Sequence, residues 1–382
     1  MSIKKKITIS ALGDISFTGN IDKNPSLDFF KKISDTWSDS DLVVGNLEGP
    51  LLDDGRSIPG KCVLKADPKW ADVLSETGIN LVSLANNHMM DYGAKGLFKT
   101  IDVLHKAGIH YLGAGENPEN ACRPLILDLN NVRIGFLARS SVIISSSTYY
   151  ATQDQPGIAS FDYSETIRQA KQLKHNTDLV ILLMHWGIEN YHFPSSSQRA
   201  LAKQLLKNGV DIIIGHHPHV LQGMEYIGQG MVAYSLGNFI FDNFDWSFCD
   251  SNGNTIPQKY ILSSENRRGM ILKLKWEENK PVSNRIILTQ INNNGTIIKI
   301  DDEKAYKTNR FLSKKMGSFY YKSWWRLYAL RQEWHLRIKN QFSFWNIIRK
   351  IYKIRPSHIK RLLSVLKKSS QIASEKTTNP YD

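Results

Sequence analysis

A chain of 382 residues with 41% apolar and 22% charged side chains can bury a large core, and its composition is that of an ordinary globular protein rather than a fibrous or low-complexity one. The net charge of +13 invites a nucleic-acid reading, but eighteen Lys and Arg face a single acid, Glu333, between Lys304 and Lys368; that local net of +17 leaves the remainder at −4. Three scattered cysteines, Cys62, Cys122 and Cys249, form neither a CxxC motif nor an even framework, which points to reduced thiols and a reducing compartment.

The basic start MSIKKKITIS has too short an apolar core for a signal peptide, because residues 7–12 run straight into Gly13 and Asp14. It reads as the first strand. No segment approaches the ~18 unbroken apolar residues of a membrane span. A cytoplasmic location is therefore expected, with the basic tail able to hold the protein at a membrane surface.

The strand at 7–12 leads into GDISFTGN and that at 41–44 into GNLEG, so each ends beside a carboxylate, Asp14 and Glu48. Residues 61–66 are expected to form a weaker strand. Pro68 then opens a helix with Trp70, Val73 and Leu74 on one side. A strand at 79–84 delivers ANNHMMDYG. The helix at 93–107, with Leu97, Ile101 and Leu104 at helical spacing, stops at Gly108 before a short strand at 109–112. Residues 124–129 and 132–138, separated by Asn130 and Asn131, read as a hairpin. Residues 140–151 are polar and irregular.

A helix at 163–174 leads into an apolar strand at 179–184, whose exit HWGIE carries His185 and Glu189. The helix at 196–208, stopped by Gly209, precedes DIIIGHHPHVLQ. There the run 211–214 is too short and too β-branched for a helix; Gly215 ends it, and His216, His217 and His219 follow in a loop stiffened by Pro218. A strand at 231–236 ends in Gly237 and Asn238. Buried strands alternating with helices, and releasing polar residues at their carboxyl ends, are the pattern of an α/β domain with its site along that edge. Residues 242–268 read as a long polar loop, followed by β structure at 269–276, 284–291 and 296–300. This divides the chain into a body at 1–303, a basic aromatic-rich helical extension at 304–368 and a polar, disordered tail at 369–382.

Three imidazoles in four positions at a strand end suit a borderline divalent ion better than a solvated loop. The strand ends together offer Asp14, Asn46 and Glu48, residues 86–88 with Asp91, His185 with Glu189, residues 216–219, and Asn238. Oxygen and nitrogen donors from five places, without cysteine, suit a pair of divalent ions such as Mn²⁺, Fe²⁺ or Zn²⁺ better than a structural zinc. Two ions a few Å apart orient a hydroxide and hold a phosphoryl oxygen. Glu189 and Gln198 read as hydrogen-bond supports or surface groups, Asn238 as an outer support, and His105, His110, His175 and His192 as structural or solvated.

The segments GDISFTG, GNLEGPL, SLANNHMMDYG, PGIASFD, HWGIENYHFPSSSQRALAKQLLKNGVDIIIGHHPHVLQ and YSLGNFIFD, in this order over about residues 6 to 300, resemble the CapA/PgsA family of poly-γ-glutamate capsule-synthesis proteins, within the metallophosphoesterase (calcineurin-like) superfamily. The resemblance implies a four-layer α/β sandwich, two β-sheets face to face with helices outside; the basic extension lies beyond it. It also implies that Asp14 is the first metal-binding carboxylate, Glu48 the bridging one, and Asn87, His185, His217 and His219 further ligands. His216, adjacent to His217, is its alternative. His88 fits the acid that assists the leaving oxygen, with Asp91 orienting its imidazole.

Two departures from phosphoesterases at large are visible: Ser16 stands where they carry an imidazole, and Glu48 is a methylene longer than their bridging Asp. The implied function is a metal-dependent hydrolase or transferase in capsule or extracellular-polymer biosynthesis. Its rival is a non-catalytic assembly factor of a membrane-associated capsule synthase. The partner expected is the polymer biosynthesis machinery; the basic tail is read first as helices that bury their aromatics against the body or each other with Lys and Arg solvated, next as a surface for an anionic membrane, and third as a site for nucleic acid or an acidic polymer. No nucleic-acid motif is present, so no specific nucleic acid is expected.

Overall fold

The computed structural model describes residues 5–341 except 60, 143–148, 250–254, 278–279, 293–294, 301–302 and 317. The later part of the expected helical extension, from residue 342, and the polar tail at 369–382 lie outside the described residues. In chain order the elements are β1 (Lys6–Ile15), β2 (Leu42–Leu47), α1 (Trp70–Glu76), β3 (Leu81–Ser83), α2 (Gly93–Lys106), β4 (His110–Leu112), β5 (Ala114–Gly115), α3 (Pro118–Ala121), β6 (Leu125–Leu129), β7 (Val132–Ser140) and β8 (Gly157–Ile158). Then follow α4 (Tyr163–Asn176), β9 (Leu179–His185), α5 (Ser196–Lys207), β10 (Ile212–His216), β11 (Met224–Ile227), β12 (Gly230–Ala233), β13 (Asn238–Ile240), β14 (Phe244–Cys249) and β15 (Thr255–Tyr260). The last are β16 (Arg268–Glu277), β17 (Lys280–Ile291), β18 (Ile297–Ile300), α6 (Glu303–Met316) and α7 (Tyr321–Gln341).

One sheet runs β18-β17-β16-β1-β2-β3-β4, with β13 also pairing β1; the other runs β11-β12-β10-β9-β7-β6. Strands β1 to β4 of one sheet and β7, β9, β10 and β12 of the other run parallel to their neighbours in these sets, and the interior ones, β2, β9 and β10, are buried on both faces, as helix-covered parallel strands must be. The alternation of β10 makes the point: Ile212 and Ile214 enter the core between the sheets, and Ile213 enters the core on the far side. Between the sheets, Ile9, Val44 and Leu81 meet Ile134, Ile181 and Ile214. Outside the first sheet, Trp70, Leu97 and Leu104 of α1 and α2 cover Val43 and Val82. Outside the second, Leu173 of α4 and Leu201 and Leu205 of α5 cover Val180 and Leu182. These are the four layers expected.

The described helices of the basic extension pack on this outer layer. Tyr321, Trp325 and Ala329, spaced four apart on one face of α7, are buried there with Leu312 and Met316 of α6. The Tyr321 hydroxyl donates to the Pro194 carbonyl at 2.6 Å and the Trp325 indole to that of Phe193 at 3.1 Å. Arg199 sits 4.5 Å above the Tyr321 ring.

Four expectations need correction. Residues 61–66 form no strand, only a bridge between Leu51 and Ala66, because Lys61 and the Leu64 amide are drawn to Asp91 rather than to a ladder. The loop expected at 242–268 contains the β14–β15 hairpin, closed by Phe244 stacked on Tyr260 at 5.2 Å; its polar composition hides that cross-strand pair. Strand β11, unforeseen, folds back on β12 through Gly228 (φ 63°). The strand expected at 231–236 stops at Ala233, after which the chain crosses to the other sheet, where Asn238 pairs with Asp14. Gly13 permits that crossing: a Cβ there would lie 2.1 Å from the Gly237 carbonyl oxygen, which accepts the Asp14 amide at 2.9 Å.

Candidate metal centre

The first sheet supplies oxygens. Asp14, at the carboxyl end of β1, lies in register with Asn46 on β2, and Glu48 follows two residues later; all three are buried. The Asn46 amide donates to Asp14 Oδ1 at 2.9 Å and to Glu48 Oε2 at 3.4 Å. Asn86, past β3, fixes Asn46 in turn, donating to its Oδ1 at 3.2 Å and to the Leu47 carbonyl at 2.7 Å. The next residue, Asn87, sets its Oδ1 2.7 Å from His185 Nε2.

The second sheet supplies imidazoles. His185 ends β9 and is in register with His216 at the end of β10. His216 points to the Leu12 carbonyl, 3.1 Å from its Nε2, whereas the His217 ring lies 4.9 Å from that of His185 and its amide donates to Asp14 Oδ2 at 3.3 Å. Of the adjacent pair, His217 faces the cluster. Pro218 does hold a tight turn, but between two strained neighbours, His217 (φ 96°) and His219 (φ 55°). Non-glycine residues in such conformations cost about 1–3 kcal/mol each and persist where surrounding contacts over-determine them. Those contacts are His219 Nδ1 on Asn238 Oδ1 at 2.9 Å, the Asn266 amide on the His219 carbonyl at 3.1 Å and the Asn190 amide on the Pro218 carbonyl at 2.8 Å. His219 lies at the join between the sheets, its Nδ1 3.4 Å from Asp14 Oδ2 and its Nε2 3.6 Å from Glu48 Oε1.

Burial governs the charges. It pushes Glu48 up to about 8, with the neighbouring Asp14 carboxylate adding to the rise and His219 opposing it. Burial also raises Asp14, but the hydrogen bond from His219 and the charges of His216 and His219 outweigh it and hold that carboxyl below its ordinary range. His217 is pushed down to about 4 and His185 well below 6.5, chiefly by burial. His219 goes the other way: the adjacent carboxylates of Glu48 and Asp14 overcome its burial.

Two sets of donors each converge within 4.8 Å: Asp14, Glu48 and His185; and Glu189, His217 and His219. Within them Glu48 Oε1 and His217 Nδ1 are buried without a hydrogen-bond partner, as is Asn87 Nδ2. An unpaired buried polar atom costs about 1–3 kcal/mol, and a divalent cation would satisfy the first two directly. Rotating the Asn87 amide by half a turn would present its oxygen to the same space. The donor set, oxygen and imidazole without sulfur, fits divalent Mn, Fe or Zn. Glu189, read from the sequence as a support or surface group, is exposed yet belongs to one of these sets.

Beside the cluster, His88 Nδ1 meets Asp91 Oδ2 at 2.7 Å. Asp91 is fully buried; its other oxygen lies 2.6 Å from the ammonium of Lys61, which also donates to the Asn87 carbonyl at 2.5 Å, and the Leu64 amide donates to Oδ2 at 2.7 Å. Lys61 escaped the sequence reading, where the one available signal was that a buried carboxylate needs a counter-charge. Gln198 is a support, completing the capping box of α5 with Ser195. Asn238, also read as a support, positions His219. A cleft of about 500 Å³ beside the edge strand β4, lined by Phe98, His105, His110 and Arg123 among others, contains none of these residues.

Residues 8–243 match the family model described as bacterial capsule synthesis protein PGA_cap. The chain is 36% identical over 250 residues to the capsule biosynthesis protein CapA of Bacillus anthracis, covering 62% of this chain and 60% of that protein. It is 30% identical over 243 residues to the PGA biosynthesis protein CapA of Bacillus subtilis (strain 168), covering 62% and 63%. The matches thus span less than two thirds of either relative. Among solved structures it is similar to the calcineurin-like phosphoesterase YfkN from Bacillus subtilis, at 18% identity and a TM-score of 0.42, over 77% of this chain and 93% of that one. The donors from Asp14 to His219 all fall within the segment matched by the family model, and the chain belongs to the bacterial capsule synthesis PGA_cap family.

Proposed function

We propose that this protein is a metal-dependent hydrolase or transferase acting in the production of a capsule or other extracellular polymer, poly-γ-glutamate or polysaccharide. Its body at 1–303 carries the chemistry. The observation behind this reading is the convergence of Glu48 Oε1 and His217 Nδ1, both buried and without a hydrogen-bond partner, with the other donors. Asp14, Glu48, Asn87, His185, His217 and His219 would hold two divalent cations, Mn, Fe or Zn, which when bound would supply an activated oxygen nucleophile and neutralise charge on the oxygens bound to the phosphorus or carbonyl carbon under attack. The rest falls to the chain. Asp91 engages His88 Nδ1, which leaves Nε2 to carry a proton to a departing oxygen. Lys61 and the Leu64 amide anchor Asp91, so the imidazole is held in one tautomer and one orientation. Metal content and phosphodiester or amide cleavage of the wild type, Asp14→Ala and His217→Ala test this reading; full activity in both variants overturns it.

A second reading, a non-catalytic assembly factor brought to a membrane synthase, is favoured by the outer face of α7. Tyr320, just before the helix, with Leu327, Leu330 and Trp334 forms an exposed apolar stripe opposite Trp325, and Arg326 and Arg331 flank it. Such a face suits the headgroup layer of an anionic membrane and a peripheral, cytoplasmic-side location. No helix among the described residues is long and apolar enough to cross a membrane. Co-sedimentation with phosphatidylglycerol vesicles should be lost in Leu327→Glu/Trp334→Glu; equal pelleting of both proteins, or of neither, counts against recruitment by this face.

A further inference from the structure

Glu189 differs from the other donors in being solvent-exposed, and it sits on a loop whose geometry is fixed from both ends. Gly187 (φ 92°) and Asn190 (φ 62°) set its turn. Asn266 ties that loop to the histidine loop, donating to Asn190 Oδ1 at 2.7 Å and to the His219 carbonyl at 3.1 Å, and the Asn190 amide donates to the Pro218 carbonyl at 2.8 Å. This bracing sets the Glu189 carboxylate beside His217 and His219, with one donor atom of each within 4.8 Å of the others. On the buried side of that group, His217 Nδ1 points at no partner, and Asn238 engages His219 Nδ1 so that Nε2 is left for a ligand.

We propose that Glu189, His217 and His219 form the outer of two unequal cation positions, and that the Glu189 carboxylate decides whether the outer one is filled. The inner position, Asp14, Glu48 and His185, is sealed and rich in oxygen; the outer is rich in nitrogen and open at Glu189. Glu48 Oε1, 3.6 Å from His219 Nε2, joins them. Ligand softness then favours different occupants: the oxygen-rich inner set suits Mn²⁺, and the imidazole-rich outer set suits Zn²⁺ or Fe²⁺. Solvent access makes the outer ion the exchangeable one.

This assignment rests on the metal reading above, and the experiment separates the two. Chelator-stripped full-length protein, wild type and Glu189→Gln, is titrated with Mn²⁺ by calorimetry, with electron paramagnetic resonance reporting whether bound ions are paired. Because Glu189 is exposed, the amide leaves the core untouched. The expected result is two ions with a coupled spectrum in the wild type, and one ion with an isolated spectrum in the variant, its outer affinity lowered by roughly 10–100-fold or more. Two ions of unchanged affinity in both proteins overturn the assignment alone, as does loss of both ions in the variant. A wild type that takes up no ion overturns the metal reading and this assignment with it.

Discussion

The two sheets bring opposite chemistry to one edge. The first contributes Asp14, Asn46, Glu48 and Asn87, carboxylates and amides cross-linked to one another by hydrogen bonds; the second contributes His185, His217 and His219, imidazoles on a strand end and a strained turn, with His185 and His219 held by the amides of Asn87 and Asn238. Burial leaves His185 and His217 neutral, which is the form that binds a metal, while it forces a proton onto Glu48. His185 and His217 are thus ready for a cation as they stand, whereas His219, raised by its carboxylate neighbours, and Glu48 must each give up a proton first. The converging donor sets, taken with their neighbours, draw on both sheets, so the proposed centre is complete only when the two are docked.

Breaking either side fully should have the largest effect. Asp14→Ala and His217→Ala should each lose bound metal and lower hydrolysis by more than the ~100-fold that loss of an outer support costs, read by elemental analysis and rate. Removing the proposed proton carrier spares both sides: His88→Ala should keep its metal and lose roughly 10²–10⁴ in kcat on substrates with poor leaving groups, with a much smaller loss on nitrophenyl esters. Equal losses on both substrate types would argue against proton donation by His88.

Lys61→Met strikes beneath the first sheet's site and strands the Asp91 charge. It should lower the free energy of unfolding in urea by about 3–5 kcal/mol, the usual result of breaking a buried ion pair; a shift below about 1 kcal/mol would mean that Asp91 is stabilised chiefly by His88 and Leu64. Asn46→Ala, which loosens the carboxylate side only, should weaken metal binding by roughly 10–100-fold without abolishing it.

The smallest effect is a pH slope of the chelator-stripped protein. Glu48, at about 8 instead of 4.5, keeps a proton in the folded chain that the unfolded chain has lost, so its contribution is complete below 4.5 and is lost as pH rises to about 8. His217, at about 4 instead of 6.5, acts in the other direction, favouring the folded chain increasingly up to 6.5. The two offset each other at lower pH, and above 6.5 Glu48 and the raised His219 both lose their contribution, so stability should decline from 6.5 to about 8. Thermal melts of Glu48→Gln should show a flatter profile over that window, and a slope equal to the wild type's would assign the effect to another group.

Much of the candidate centre is legible in the sequence because each strand reports its own end. Asp14, His185 and His217 follow apolar runs cut off by Gly or by a polar loop, and His88 with Asp91 is visible as a pair three apart. What stayed hidden depends on contacts far away in the chain. Lys61 finds Asp91 across 30 residues, and Asn266 clamps Asn190 to the histidine loop across 76 and 47. The crossing after Ala233 looks like a continuing strand because Tyr234 and Leu236 are as apolar as the residues before them. The β14–β15 hairpin was masked by its polar residues, its aromatic pair being 16 positions apart. Between His216 and His217 only the direction of each ring decides, and that is set by a carbonyl on β1.

The burial of Trp325 bears on how the basic segment can be studied. With its indole tethered to Phe193 and Tyr321 pinned beneath Arg199, α7 roofs the outer layer, so a protein shortened to residue 303 would bare that apolar surface to solvent, bind hydrophobic dyes and precipitate. Loss of polymer output in such a truncation would report collapse of the body. Separating anchoring from chemistry calls instead for surface substitutions on α7, or for a cut beyond its last turn.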